Sequence, residues 1–343
     1  MKALVFVDQG KVEVREIPQP YCGLGEALIR VEACGICGSE IESVQVLSKR
    51  RKPPLILGHE FSGVIEYIND KTDRLSVGER VIVNSVIPCG KCNPCLRGQP
   101  NLCKNRQVFG MNRPGALAHF VNSPLYVIYP VPESLDFVTA SLTEPLSVGI
   151  HLLNLIPDYE NPTVAVIGAG TIGLLLFQAA RTLLNAKVLV ADLADIRLKE
   201  AEKLGADVTS NPLKENFEAV CMEFSGADGV DICIDAVGTS LTRNQSIKVL
   251  RPGGSAGWLG LQENSVTLDS YPIILPERKI FGSYGAEKED FLKSIDLLSS
   301  GKVKGGDWVE VFPIEESAEA FKKMMKGEGN FIKAVITPGK GEG

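Results

Sequence analysis

The 343-residue chain has only three histidines, no excess of basic residues and no long apolar run. With 36 Lys and Arg against 42 Asp and Glu, its net charge of −6 offers no electrostatic footprint for a nucleic acid. No stretch of 18 or more apolar residues is present, so no membrane span is expected. The opening Met1-Lys2-Ala3-Leu4-Val5-Phe6-Val7-Asp8 is too short an apolar run for a secretory signal. Internal repeats and low-complexity segments are also missing. Nine cysteines, an odd number in clustered spacing, argue against a disulfide framework and read as metal ligands and reduced thiols. What remains is small-molecule chemistry, with the cytoplasm as the expected compartment. At 44% apolar and 23% charged, the chain can bury a large core in two or three domains.

With histidine so scarce, the surroundings of His59 are informative. It stands in Gly58-His59-Glu60-Phe61-Ser62-Gly63, preceded by Cys34-Gly35-Ile36-Cys37-Gly38-Ser39-Glu40. A thiolate, an imidazole and carboxylates together form a zinc ligand set, and mixed ligands usually leave one position open for water or substrate. The Ser39 hydroxyl, two residues after Cys37, is within reach of an oxygen held there. Cys34 reads as a small buried hydrophobe, with a redox pair to Cys37 as the alternative.

A second cluster, Cys89, Cys92, Cys95 and Cys103, is spaced C-x2-C-x2-C-x7-C, with Gly90, Pro94 and Gly98 letting the chain turn. Four thiolates complete a tetrahedral zinc with no position to spare, which makes the ion structural. An iron–sulfur cluster is the alternative. Four unliganded thiols on a loop would be prone to oxidation.

Short strands at 3–7, 12–17, 27–33, 64–68, 80–84 and 118–122 predict a β unit. The charge run Lys49-Arg50-Arg51-Lys52 reads as a solvated loop, or as a place to hold a phosphate. A helical pattern over 136–153 is interrupted at Glu144-Pro145, where proline should break it and aim the Glu144 carboxylate outward; His151 reads as packing. The strand Thr163–Ile167 leads into Gly168-Ala169-Gly170-Thr171-Ile172-Gly173 and a Leu- and Ala-rich helix. In that context the glycines are a dinucleotide fingerprint. A second strand over 187–191 ends in Asp192, a carboxylate placed for the ribose hydroxyls that favours NAD over NADP. Strands near 207–209, 230–235, 255–260 and 279–282 bring the sheet to the complement of a doubly wound fold. Helices around Phe291, Ile295 and Leu298 and over 315–326, with a strand near 334–336, close the chain.

In this order, the C-G-S-E and G-H-E segments, the four-cysteine lobe and the glycine turn resemble the medium-chain zinc-dependent alcohol and polyol dehydrogenases. The resemblance implies an α/β protein: a GroES-like β domain over 1–146 and 283–343, and a doubly wound Rossmann NAD-binding domain over 147–282. It implies two zinc ions per chain. One is catalytic, held by Cys37, His59 and one or both of Glu60 and Glu144; the other is structural, held by Cys89, Cys92, Cys95 and Cys103. Ser39 would take the substrate's hydroxyl proton in the cleft between the domains. Gly168, Gly170, Thr171, Ile172, Gly173, Asp192 and Arg197 would contact NAD. A homo-oligomer, dimer or tetramer, is implied as well.

The segment Glu144-Pro145-Leu146-Ser147-Val148-Gly149 resembles sorbitol dehydrogenase relatives, with Glu where simple-alcohol enzymes carry Cys. It implies a secondary hydroxyl in a polyol, sugar or cyclitol. Alternatives are a phosphorylated polyol, L-threonine (from Asn112-Arg113-Pro114-Gly115), a zinc-free reductase of the same superfamily, and, from another class, a zinc-ribbon binding protein. Three positions depart from the family's pattern: Glu40 replaces Asp, Glu42 replaces the His that ends the proton relay of some members, and His119 stands where an acidic residue is common.

Overall fold

Strand pairing begins at the first residues: Lys2–Asp8 runs antiparallel to Lys11–Glu16, with Asp8 opposite Lys11 across a two-residue turn. Gly10 closes that turn at φ +68°, a conformation glycine adopts without penalty. The computed structural model describes residues 1–46 and 50–339; Lys49 of the basic run lies outside the described residues. Two compact units are present. The first comprises residues 1–144, 287–299 and 305–343, and the second 145–286 and 300–304.

The first unit is built on a seven-stranded sheet whose central member is Glu26–Gly35. This strand pairs antiparallel with Glu60–Ile68, Phe120–Pro124 and Lys333–Thr337, and Val309–Pro313 runs parallel to the last. Leu4, Ile29, Val31, Phe61, Ile65, Phe109 and Ile336 are buried in one cluster beneath it. Two strands of this unit depart most from the sequence expectation. The strand expected from Val64 starts at Glu60, because its first four residues are also buried and pair with 31 and 33–35. The one expected over 118–122 lies at Phe120–Pro124.

The helix expected over 136–153 is two helices, and the break is not where proline suggested. Phe137–Ser141, capped by Asp136 accepting from the Thr139 N–H at 2.8 Å, ends at Leu142; Thr143–Leu155 then runs through Glu144 and Pro145. Pro145 sits in the first turn, where an N–H would have no intrahelical partner and its absence costs little.

The second unit carries six parallel strands in the spatial order Val208–Ser210, Lys187–Ala191, Thr163–Ile167, Val230–Asp235, Leu250–Trp258 and Lys279–Gly282. Numbered along the chain this is 3-2-1-4-5-6, the doubly wound nucleotide-binding order. Val166, Leu189, Ile232 and Ala256 are fully or almost fully buried, as a sheet covered on both faces requires. Cys221 and Cys233 belong to this core, and burial raises both thiols, Cys221 to about 12. Among the described residues no helix is long and apolar enough to cross a membrane.

Asp231 ties three adjacent strands together. Its carboxylate accepts from the Thr163 N–H and hydroxyl, each at 2.8 Å, and from Arg251 Nε at 2.6 Å. Burial alone would raise its pKa, but these bonds outweigh it and hold the group below its ordinary 3.8. The stability this adds is present above 3.8 and is lost as pH falls through the lower folded value. Asp231→Asn should therefore cost about 1–2 kcal/mol near pH 7. Unfolding in urea should show that gap narrowing toward the lowest pH at which the parent stays folded. A gap independent of pH would contradict the assignment.

Candidate functional site

Strand register, more than any loop, assembles the mixed-ligand cluster. Gly35 faces Glu60 across one antiparallel pair and Val335 across the other. Residues just past the end of the central strand therefore meet the start of both neighbours. Cys37 follows that end and opens the helix Gly38–Val46, its carbonyl accepting from Glu40 and Ile41. His59 and Glu60 lie beside it. The donor atoms of Cys37, His59 and Glu60 fall within 4.8 Å of one another, and Ser39 Oγ lies 3.4 Å from Cys37 Sγ.

Glu40 organises this group without joining it. Fully buried, it accepts from the Gly58 N–H at 2.6 Å and the Cys37 N–H at 3.2 Å, and its Oε1 is 3.1 Å from His59 Nδ1. Burial pushes its carboxyl up, but His59, Arg51 and the Gly58 N–H prevail and leave it at about 2. An ionised Glu40 only accepts, so the proton between them belongs to Nδ1. In the neutral ring, Nε2 then keeps a lone pair for a metal.

Glu144 is not in the three-residue group. Half-buried in the first turn of its helix, it accepts from Ser85 Oγ at 2.8 Å. Desolvation raises its pKa; His59 and Lys333 oppose that and Glu60 adds to it, so its charge is felt at the cluster. His119 and His151 are buried and belong to neither donor cluster.

The four-cysteine lobe brings its sulfurs within 4.8 Å of one another, with Cys92 Sγ 3.5 Å from Cys95 Sγ and 3.7 Å from Cys103 Sγ. A tetrahedron with zinc–sulfur bonds of about 2.3 Å has edges of about 3.8 Å, so the spacing fits one ion. The Lys91 N–H draws the Cys89 thiol down to about 6, while desolvation and the thiols of Cys92 and Cys103 push Cys95 up to about 11. Thiols packed this closely cannot all ionise without a cation among them.

In the second unit, Gly168 turns at φ +101°, and a Cβ on Gly173 would lie 1.8 Å from the Gly168 carbonyl oxygen. A Cβ on Gly170 would meet nothing within 4 Å, so the backbone there is open to a bulky anion. Gly170 N-caps the helix Thr171–Leu184 with no capping side chain. That leaves the N–H groups of Thr171 and Ile172 at a helix N-terminus suited to a pyrophosphate. Asp192 follows the end of the next strand, accepting from the Ala169 N–H at 2.8 Å and the Ala194 N–H at 2.9 Å, with Arg197 3.5 Å away.

Sequence reasoning missed three contributors. Lys333 is buried and ion-paired with Glu60, and its Nζ donates to the Ile36 carbonyl at 2.9 Å. Burial would lower its pKa, but Glu60 and Cys37 raise it above the ordinary lysine value. A lysine heading the otherwise apolar Lys333-Ala334-Val335-Ile336 was the available signal. Ser85 left none. Arg51 was taken with the solvated run, yet it is 1% exposed. Its neighbours Arg50 and Lys52 line a groove of about 740 Å³ with Arg15 and Arg113; none of the candidate ligands borders it.

Residues 23–133 match the alcohol dehydrogenase GroES-like domain, and residues 171–300 match the zinc-binding dehydrogenase family. D-xylulose reductase A of Aspergillus oryzae is 34% identical over 97% of this chain and 96% of its own. Galactitol-1-phosphate dehydrogenase of Escherichia coli is similar in structure, with a TM-score of 0.92 at 25% identity, covering 98% of this chain and all of that one. A zinc-binding dehydrogenase from Sinorhizobium meliloti, bound to NADP, gives 0.91 at 28% identity over 98% of this chain and 99% of its own.

The two clusters should separate under substitution. Cys95→Ser should lose one zinc per chain and unfold at lower temperature, since structural zinc contributes folding free energy directly. Cys37→Ser should lose the other ion with a smaller change in thermal stability. Metal analysis by mass spectrometry with thermal unfolding reads both; an equal fall in unfolding temperature in the two variants would refute the division.

Proposed function

The chain belongs to the zinc-binding medium-chain dehydrogenases, oxidoreductases acting on CH–OH donors, and on that premise we propose that it oxidises a secondary hydroxyl of a polyol, sugar or cyclitol with NAD. The observation that carries this is the convergence of Cys37, His59 and Glu60 within 4.8 Å, with the Ser39 hydroxyl beside Cys37. We assign Cys37, His59 and Glu60 as the ligands of the catalytic zinc and Glu144 to an outer position, because of the four expected ligands it alone stands outside the group. Cys89, Cys92, Cys95 and Cys103 hold the structural ion.

When bound, zinc supplies the Lewis acidity that acidifies an alcohol, and the nicotinamide accepts the hydride. The remaining work falls to side chains. Glu40 holds His59 in the tautomer that ligates. Ser39 takes the substrate's hydroxyl proton on Oγ as it releases its own, while the carbinol carbon gives up hydride. Glu144, oriented by Ser85, offers an acceptor to a further hydroxyl, which suits a polyol and disfavours a hydrocarbon chain that would leave the carboxylate unpaired. The sugar-directed name of the Aspergillus relative supports the same class.

A second reading, a phosphorylated polyol, is supported by the galactitol-1-phosphate neighbour and by the basic groove that Arg50 and Lys52 line. For the nucleotide, the placement of Asp192 supports NAD, since a carboxylate there accepts from ribose hydroxyls and repels a 2′-phosphate. Gly168, Gly170, Thr171, Ile172 and Gly173 take the pyrophosphate side and Arg197 the adenosine side. The thiol lobe suits the reducing cytoplasm, and the family implies a homo-oligomer; light scattering reads its size.

A panel of polyols, inositols, sugar phosphates, L-threonine and simple alcohols with NAD should give the highest kcat/KM on an unphosphorylated polyol or sugar. A primary monoalcohol at the top would overturn the reading, and a sugar phosphate would install the second one. On the best substrate, Ser39→Ala should lower kcat roughly a hundred-fold, the scale of a positioned proton transfer.

Asp192→Ala should narrow the preference for NAD over NADP at least ten-fold, about 1.4 kcal/mol. A parent that already prefers NADP would contradict the role given to Asp192.

A further inference from the structure

Arg51 follows the described helix Gly38–Val46 by five residues and turns inward, where its guanidinium is almost completely enclosed. Nε donates to the Gly110 carbonyl at 2.8 Å, Nη1 to the Ser39 carbonyl and to Ser43 Oγ, both at 2.9 Å, and Nη2 to Ser39 Oγ at 3.2 Å. Ser43 Oγ in turn donates to the Ser39 carbonyl at 2.8 Å. One cation thus grips the backbone and the side chain of the same serine. Its anchor is rigid as well: Gly110 sits at φ +62°, and a Cβ there would come within 2.9 Å of the Gly58 nitrogen.

Guanidinium groups only donate. Ser39 Oγ must therefore accept from Arg51, and its single hydrogen cannot point that way. The remaining sulfur neighbour is Cys37, at 3.4 Å. We propose that Arg51 is a positioning residue for the reaction, locking the Ser39 rotamer so that Oγ stands on the Cys37 side where substrate oxygen is handled, with one lone pair left to take the substrate's proton. A side chain that cannot accept a proton also closes one direction of the relay, so the route onward from Ser39 leads away from Arg51. Lysine, a point charge with no planar fork, would replace only part of this. The inference rests on the role of Ser39 in the proposed dehydrogenase reaction and adds the residue that aims it.

A clamp with a purely structural role would cost the same whether or not the serine hydroxyl is present, which sets the test. In a double-mutant cycle of Ser39→Ala and Arg51→Met, Arg51→Met alone should lower kcat about ten-fold or more with KM within about three-fold. In the Ser39→Ala background the same change should cost under about two-fold, and Arg51→Lys should restore part of kcat. Zinc per chain and thermal unfolding establish that each variant is folded and loaded. Should Arg51→Met lose zinc or fail to fold, the cycle is run with Arg51→Lys, where the same non-additivity is expected at smaller size. A crystal structure of the Arg51 variant gives a readout without turnover: Ser39 should occupy a different rotamer or more than one. Equal cost in both backgrounds, or one unchanged rotamer, overturns the inference. An effect of Ser39→Ala below about three-fold instead removes the serine from the mechanism, failing the proposed function at its own step.

Discussion

Everything at the metal cluster depends on one antiparallel register. Glu26–Gly35 is bonded on one side to Glu60–Ile68 and on the other to Lys333–Thr337, and Gly35 is paired on both sides. The sheet thereby gathers a helix N-terminus with Cys37, a strand start with His59 and Glu60, and a second strand start with Lys333, from segments nearly three hundred residues apart. A slip of one residue in either pairing would send alternate side chains to the opposite face and dismantle the group. Gly35 has no room to vary, because a Cβ there would lie 2.5 Å from Glu60 Oε2 and 2.6 Å from the Lys333 side chain.

That register also concentrates charge away from water, which is costly unless the charges compensate. Glu40 and Glu60 are buried, Glu144 is half-buried and close enough to be felt, and Cys37 adds a fourth negative charge when it ligates as thiolate. Against them stand Arg51 and Lys333, while His59 as a ligand is neutral. The named groups leave a deficit of two positive charges. A single divalent cation supplies it at the place where the thiol, imidazole and carboxylate converge, so the donor set and its charge balance point to the same kind of ion. Lys333 then explains how Glu60 tolerates burial while remaining available: one oxygen faces the ammonium, and the carboxylate has a second.

How much of this was legible in the sequence follows from the range of the interactions. Cys37, His59, the four-cysteine lobe and the glycine turn declare themselves through spacings of a few residues, and the doubly wound order followed from strands alternating with helices. Lys333, Ser85 and Arg51 act through partners that are distant in the chain or hidden by composition. Nothing near Lys333 names Glu60, 273 positions earlier. Arg51 was masked by basic neighbours that do line a surface groove. The break at Leu142 was misplaced for a different reason. Proline marks where a helix cannot continue only if its nitrogen is past the first turn, and that cannot be judged until the start of the helix is known.

The exchange of Asp for Glu at position 40 is the departure from the family's pattern that the structure accounts for most fully. A carboxylate behind the histidine needs only one oxygen on the ring to set its tautomer. Glu40 does more: one oxygen serves both His59 Nδ1 and the Gly58 N–H, and the other takes the Cys37 N–H. The extra methylene gives the carboxylate reach from the helix that follows Cys37 to the strand that begins beside His59. Two ligand-bearing segments are thus fastened by one ionised group, with Arg51 lowering its pKa from the far side. Because Arg51 also grips Ser39, the residues that would ligate the metal and the residue that would move the proton are held by two sets of charge-assisted bonds, one on Glu40 and one on Arg51, that are linked through Ser39 Oγ and Cys37 Sγ. Their relative placement is then a property of that network, which is stiffer than any of the loops that carry its members.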